Sequence, residues 1–339
     1  MLNGALIGFG KIARTGHMPA YLSPAICPMA KITAVCDMDE SLGDVVNAEF
    51  PGTKFYSDID LMFQEEAIDF VDICLPPALH RMAVEKALTN KKHILCEKPL
   101  AHNVSDSKRI ELMIKNSSLV FSICHQYKHS PVWSRFKDFT EEHDGNGGMF
   151  IQFNVFRTGA DNGYFRSNPG WRTDRKISGG GILSDTGVHY IYLANWLMGS
   201  PKRVTAINKK LGSSSFNVED SSFVLLEYEK GIVEINLTWA SDHRENLARI
   251  SSGSSSLVYN GKCLTKYEAD KVRNIEVPDA SDKRSYIVLY EKLLEDFFEK
   301  VIISGENYEA ITEAYDTIRL LDACYTSANE SRTIVPGKL

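Results

Sequence analysis

Three ionisable residues in this chain have the types and surroundings that proton and hydride chemistry needs. Lys98 stands in Glu97-Lys98-Pro99, directly after the apolar run His93-Ile94-Leu95-Cys96. Asp185 and His189 stand in Gly179-Gly180-Gly181-Ile182-Leu183-Ser184-Asp185-Thr186-Gly187-Val188-His189. A lysine at the carboxyl end of a parallel strand lies where an open α/β sheet holds its ligand. There it can bond, or share a proton with, the group that reacts. Asp185 and His189 are at i and i+4 and so share a helix face. Histidine titrates near neutrality, and a carboxylate one turn away orients it and favours its charged form. A lone helical histidine is more often a satisfied core residue. The pair, on an otherwise apolar helix behind flexible glycines, favours function.

A glycine turn points to the redox partner. In Gly8-Phe9-Gly10-Lys11-Ile12-Ala13, Gly8 permits the tight turn after a first strand and Gly10 lets backbone approach a pyrophosphate. Ala13 takes the third position, and the helix that starts there turns its free N–H groups toward phosphate. Phe9, Lys11 and Ile12 complete the loop. Asp37 closes the second apolar run, Ala34-Val35-Cys36, where a carboxylate accepts from both ribose hydroxyls and repels a 2′-phosphate. Met38 follows, with no arginine nearby, so NAD is favoured over NADP. Pro76-Pro77 ends another strand pattern and sends the chain across the cofactor, with His80 close behind as either a cofactor contact or a structural residue. Glu97 and Lys98 border the same space. The seven cysteines have no metal spacing, and no metal site is expected.

These residues need a scaffold. Up to about Cys124, short apolar runs (Gly4–Ile7, Ile32–Cys36, Phe70–Cys74, Ile94–Cys96, Val120–Cys124) alternate with amphipathic segments such as Arg81–Thr89 and Ser105–Lys115. That alternation predicts a parallel sheet covered on both faces. Leu22–Met29, with Pro24 and Pro28, reads as an inserted loop. After Cys124 the runs lengthen and alternate: Met149–Arg157, Val204–Leu211, Ser221–Glu229, Ile232–Trp239 and Ala248–Ser252, with a hairpin at Glu229-Lys230-Gly231. Ser213–Ser215 reads as loop. Helices over 286–304 and 310–329 close the chain, the first with an amphipathic stripe. The expected class is therefore α/β: a Rossmann domain over 1–124, then an α+β domain over 125–339 built on a large open, mostly antiparallel sheet.

At 339 residues, 43% hydrophobic and 24% charged, the chain has enough apolar material for two cores. A net charge of −6 argues against nucleic acid or an anionic membrane as partner. No signal-peptide pattern or 20-residue apolar span is visible, and scattered cysteines in strand-like runs read as a reducing cytoplasm.

With these residues in view, the chain resembles the Gfo/Idh/MocA oxidoreductase family over nearly its whole length. The resemblance is carried by the glycine loop, by Pro76-Pro77-Ala78-Leu79-His80, by Glu97-Lys98-Pro99, and by Trp171-Arg172 with Gly179-Gly180-Gly181 through Asp185 and His189. Ala323-Cys324-Tyr325-Thr326-Ser327-Ala328 is similar to the family's last helix. The resemblance implies NAD or NADP, a sugar, cyclitol or sugar-nucleotide carbinol, and Lys98, Asp185 and His189 as the catalytic set. It also implies homodimers or homotetramers formed through the second-domain sheet. Two departures bear on the substrate: Tyr192 stands where many members have aspartate, and the second domain opens Gln126-Tyr127-Lys128-His129-Ser130-Pro131.

The expected chemistry is oxidation of a secondary hydroxyl, with His189 as base, Asp185 orienting it, and Lys98 bonding the same oxygen or relaying the proton. Which of Lys98 and His189 is the main proton acceptor stays open. Substrate contacts are expected from 157–176, a stretch with Arg157, Tyr164, Phe165, Arg166, Trp171, Arg172 and Arg175, and from Tyr127 and Lys128. The same stretch also reads as an ordinary basic surface loop. The alternatives are a ketosugar reductase running the reverse reaction and a dinucleotide-binding regulator without turnover.

Overall fold

Short, largely apolar runs become the central strands of a first sheet because most of their residues are buried on either face. In the computed structural model of the chain, residues 1–144, 147–160, 170–212, 215–277, 286–303 and 308–338 are described. The strands are β1 (Leu2–Ile7), β2 (Ala30–Cys36), β3 (Lys54–Tyr56), β4 (Phe70–Ile73), β5 (His93–Cys96) and β6 (Phe121–Ile123). Among the described residues they form a six-stranded sheet in the order β3-β2-β1-β4-β5-β6. Every pairing is parallel. β3 was not expected: three residues, only one of them buried, carry no readable period.

Helix boundaries follow local chemistry. Pro76 and Pro77 start the helix Pro77–Thr89, since proline at a first turn gives up an N–H that has no helical partner. Asn103 caps Val104–Lys115 by accepting from the Asp106 N–H at 2.8 Å. The strand order turns at β1, so the connections after β1 and β4 leave in opposite directions and open a crevice at the strands' carboxyl ends.

The helix Tyr286–Ile302 returns to this sheet. Its stripe of Tyr290, Leu293, Leu294, Phe297, Phe298 and Val301 is buried in one cluster with Leu6, Val35, Phe70 and Leu95. The Phe70 ring meets those of Phe298 and Phe297 edge-on at 5.1 and 5.8 Å. By packing, the first compact unit holds Met1–Gln126 together with Tyr286–Tyr315, and the second holds mainly Tyr127–Asp161, Arg172–Ser285 and Asp316–Leu339. The apolar stripe, not position in sequence, decides where the helix docks.

The second unit is built on β7 (Met149–Phe156), β8 (Arg203–Lys209), β9 (Ser221–Tyr228), β10 (Gly231–Thr238), β11 (Glu245–Ser252), β12 (Ser255–Tyr259), β13 (Leu264–Glu268) and β14 (Lys271–Ile275). Among the described residues these make one sheet ordered β14-β13-β12-β11-β7-β10-β9-β8. It is mixed rather than wholly antiparallel, because β7 and β10 pair in parallel with Ile151 opposite Val233 and Phe153 opposite Ile235. Alternation in β7 buries Met149, Ile151, Phe153 and Val155 and leaves Phe150 on the other face. The buried face meets Trp133 of the helix Pro131–Glu142 and Tyr190 of the helix Val188–Met198, with Phe153 between them. The last helix runs Tyr308–Glu330. Among the described residues, no helix is long and apolar enough to cross a membrane.

Candidate active site

The chemistry-bearing residues fall in two groups, one in each unit. In the first, the glycine turn follows β1 directly. Gly8 has φ +90°, and a Cβ there would lie 2.9 Å from the Cys74 backbone at the end of β4. Only glycine fits such an approach. The Gly8 N–H donates to the Cys36 carbonyl at 2.8 Å, and the Phe9 N–H donates to Asp37 Oδ2 at 2.7 Å. Asp37 Oδ1 accepts from the Asp39 N–H at 3.0 Å, so the carboxylate at the end of β2 is fixed beside the turn. Phe9 contributes backbone only, because its ring is buried edge-on against Phe50. Lys11 and Ile12 are half-buried at the start of a π-helical turn, Ala13–His17. These features fit a dinucleotide: a turn with no side chain in the way, and a held carboxylate at the neighbouring strand end.

His80 is fully buried on the helix Pro77–Thr89. Its Nε2 lies 2.8 Å from the Leu75 carbonyl and its Nδ1 3.3 Å from that of Leu100. Burial pushes its pKa down, against the two carbonyls, and the ring lies between the turn after β4 and the one after β5. Pro76 is extended and half-buried just ahead of it.

Lys98 is half-buried just beyond β5, and its backbone N–H donates to Glu97 Oε2 at 3.0 Å. The Lys98–Pro99 peptide is cis. Glu97 itself is buried, and its Oε1 accepts from the Tyr290 hydroxyl at 2.6 Å and lies 3.0 Å from His17 Nε2. The other nitrogen, His17 Nδ1, is 2.7 Å from Asp72 Oδ2, which also accepts from the Tyr21 hydroxyl at 3.0 Å. Burial opposes charge on Glu97, but the hydrogen bond and charge of His17, with Lys98 and Tyr290, hold its pKa down at about 2. His17 is likewise opposed by burial and carried well above its ordinary range by the charge and hydrogen bond of Asp72. Donor atoms of His17, Asp72 and Cys74, and of His17, Glu97 and Cys124, lie within 4.8 Å of one another. Both ring nitrogens already face carboxylate oxygens, so hydrogen bonding accounts for the cluster without coordination. Sequence reasoning missed His17, Asp72 and Tyr290; the one visible signal was a carboxylate inside the apolar strand Phe70-Val71-Asp72-Ile73.

In the second unit the glycine run serves close packing rather than looseness. A Cβ on Gly180 would lie 1.7 Å from the Tyr325 hydroxyl, and one on Gly181 would lie 1.8 Å from the Glu219 carbonyl. Glu219 Oε1 accepts from the Gly181 N–H at 2.8 Å and the Tyr325 hydroxyl at 2.7 Å, and more weakly from the Leu183 N–H at 3.3 Å. Gly181→Ala is expected to destabilise the chain by about 1–3 kcal/mol, the range for overpacking. Thermal unfolding of that variant checks it, and an unchanged midpoint would contradict the packing described.

Leu183–Gly187 is a π-helical turn ahead of Val188–Met198. Asp185 therefore sits in a turn wider than that of an α-helix, just ahead of the helix that carries His189. Asp185 Oδ1 accepts from Arg172 Nε at 3.2 Å, a partner within the second unit that the spacing argument did not supply. The His189 ring stacks on Tyr127, with centroids 4.6 Å apart and planes at 21°. Tyr127 in turn stacks on Trp133 at 6.1 Å. Tyr127 and Lys128 occupy the short turn Gln126–His129, and Lys128 is half-buried.

Arg157 is engaged by its own sheet: its guanidinium donates to the carbonyls of Phe156 and Glu245 and to Asn246 Oδ1, at 2.7, 2.9 and 2.7 Å. Trp171 is half-buried in a short helical turn, Trp171–Thr173. Tyr192 is buried. Tyr164, Phe165, Arg166, Ser213 and Ser214 lie outside the described residues.

A parallel sheet with a glycine turn and a strand-end carboxylate, followed by a unit on a large mixed sheet, defines a nucleotide-dependent oxidoreductase of two units. The chain belongs to the Gfo/Idh/MocA oxidoreductase family. Its residues 2–125 match the family's NAD-binding Rossmann fold and residues 150–336 its C-terminal alpha/beta domain. It is 24% identical to a D-apiose dehydrogenase of Rhizobium rhizogenes, covering 100% of this chain and 98% of that one. It is also 24% identical to a levoglucosan dehydrogenase of Pseudarthrobacter phenanthrenivorans, covering 99% and 98%. Its fold is similar to that of an oxidoreductase from Agrobacterium radiobacter solved with NAD+, L-tartaric acid and magnesium, at a TM-score of 0.83, 22% identity and 99% coverage of both chains. The chain is thus an NAD(P)-dependent oxidoreductase.

Proposed function

We propose that this oxidoreductase is an NAD-dependent dehydrogenase that converts a secondary hydroxyl of a sugar, cyclitol or sugar nucleotide to a ketone. The observation that carries the reading is the placement of Lys98 on a turn at the carboxyl end of β5, with its backbone N–H held by buried Glu97. The dehydrogenases of D-apiose and levoglucosan to which the chain is similar support a carbohydrate substrate.

The nucleotide would be held by the Gly8–Ile12 turn and by Asp37, and when bound it supplies the hydride acceptor. The remaining work is proton and charge management. Lys98 donates a hydrogen bond to the carbinol oxygen and stabilises the charge that develops there. His189 accepts the hydroxyl proton, its ring plane set by Tyr127. Asp185 and Arg172 form a largely buried ion pair, a carboxylate and a guanidinium of the kinds that bond hydroxyls of a polyol. The same groups serve ketone reduction when the proton moves the other way.

The test is reduction of NAD by the protein with a panel containing D-apiose, levoglucosan and myo-inositol, followed at the absorbance of the reduced cofactor, with ketosugars and NADH for reverse turnover. NADH formed with a panel sugar supports the reading. Tight NAD binding with no turnover in either direction would favour the regulator instead. Asp37→Ser is expected to weaken NAD by about 10- to 100-fold, since a charged hydrogen-bonding partner is lost, and to narrow the preference over NADP. Titration of both cofactors checks this, and equal affinity of the wild type for both would overturn the role given to Asp37.

A further inference from the structure

We propose that His17 is the positioning residue for Lys98: a buried imidazolium wedged between Asp72 and Glu97, fixing Glu97 so that its outer oxygen holds the Lys98 backbone. The proposal rests on the reading of Lys98 as the group that bonds the reacting oxygen.

The geometry leaves His17 little choice. Carboxylates accept hydrogen bonds and do not donate them. Each ring nitrogen faces one, at 2.7 Å on Asp72 and 3.0 Å on Glu97. A neutral ring would set a bare lone pair against an anion on one side, whereas a ring with both N–H groups satisfies both sides. The carboxylates are further fed by neutral donors: Tyr21 to Asp72, Tyr290 to Glu97, and Cys74 Sγ to Asp72 Oδ1 at 3.7 Å. The titratable groups around the ring and its two carboxylates come from five elements: Tyr21 beyond the turn that holds His17, against Asp72; Asp72 and Cys74 from β4 and the residue after it; Glu97 after β5, with Cys96 beside it; Cys124 after β6; and Tyr290 from the returning helix.

Glu97 divides its two oxygens. Oε1 faces inward to His17 and Tyr290, and Oε2 faces the turn, where it accepts the Lys98 N–H. One cation and two anions leave the buried trio a net −1, next to the ammonium of Lys98. A neutral side chain at position 17 leaves two buried anions without their cation, an arrangement relieved when one carboxyl takes up a proton. Glu97 then stops holding the Lys98 turn in one geometry. Misplacement of a reacting group by an ångström costs up to about 10²-fold in rate. The nucleotide is held elsewhere, at Gly8 and Asp37, and its affinity should not follow.

The test has two arms. In His17→Gln, kcat with the panel sugar that reduces NAD is expected to fall about 10- to 100-fold, while the NADH dissociation constant, read from its fluorescence, changes by less than about threefold. If Lys98→Ala abolishes turnover and folded His17→Gln does not lower kcat, the positioning proposal fails and the Lys98 reading stands. If Lys98→Ala leaves turnover intact, the Lys98 reading itself fails. The second arm needs no variant to be active. Nitrogen-15 NMR of histidine-labelled wild type should show, at about pH 7.5 where free imidazole is mostly neutral, a ring with both nitrogens protonated whose signal is missing from His17→Gln. Only neutral rings at that pH would overturn the proposal even if the variant cannot fold.

Discussion

Lys98→Ala is expected to lower turnover by about 10²–10⁴-fold, the range for a group that handles a proton or stabilises charge at the reacting atom. The loss should appear in kcat far more than in NADH affinity. The turn that approaches phosphate follows β1 and the Asp37 carboxylate follows β2, whereas Lys98 follows β5. Alanine keeps the backbone N–H that Glu97 accepts, so the turn survives and only the ammonium is lost. The measurement is a single-turnover rate with saturating NAD beside a fluorescence titration of NADH. Turnover within a few-fold of wild type would remove Lys98 from the mechanism. A parallel loss of NADH affinity would recast it as a cofactor ligand.

Asp72→Ala is expected to cost the first unit about 3–5 kcal/mol, the usual penalty for stripping one partner from a buried ion pair. Its pH dependence is the sharper prediction. His17 has a folded-state pKa above that of free imidazole, about 6.5. Its share of stability is complete below that pH and fades as pH rises through the folded value. Glu97 has a depressed pKa, about 2, so its share is complete above the ordinary carboxylate value and fades as pH falls toward 2. Wild type should therefore be most stable between about pH 4.5 and 6.5 as far as this cluster decides it. Removing Asp72 takes away the main force that raises His17, so the alkaline decline should flatten while the acid limb, set by Glu97, persists. Thermal melts of both proteins across pH test this. Parallel curves on the alkaline side would mean that His17 is neutral in the folded protein.

Much of the scaffold could be read from the chain because each element announces itself locally. The strands of the first sheet are short, apolar and bounded by Gly, Pro or Asp, and the glycine turn is meaningful only because β1 precedes it. The position of Lys98 just past β5 was legible for the same reason: a strand end is a fixed address in such a sheet. What stayed hidden depends on long-range encounters. His17, Asp72, Glu97 and Tyr290 lie far apart in sequence, and no local period joins them. Asp185 and Arg172 were each singled out, but their ion pair was not, because they stand in separate local elements and no periodicity joins them. The triple glycine suggested looseness when read alone; Glu219 and Tyr325, from distant segments, give it the opposite meaning.

The return of Tyr286–Ile302 to the first sheet also sets an order of events during synthesis. Leu6, Val35 and Phe70 emerge from the ribosome early, but the aromatic and leucine side chains that finish their core are translated last but one. A nascent chain of 124 residues would carry a nucleotide turn on an unfinished hydrophobic surface, the kind of surface that recruits chaperones or aggregates. Excising the nucleotide-binding half by cutting after β6 should accordingly yield insoluble protein, whereas a circularly permuted chain that fuses 286–303 ahead of Met1 should restore solubility. In this protein the first six strands are a fold held in waiting for the helix Tyr286–Ile302.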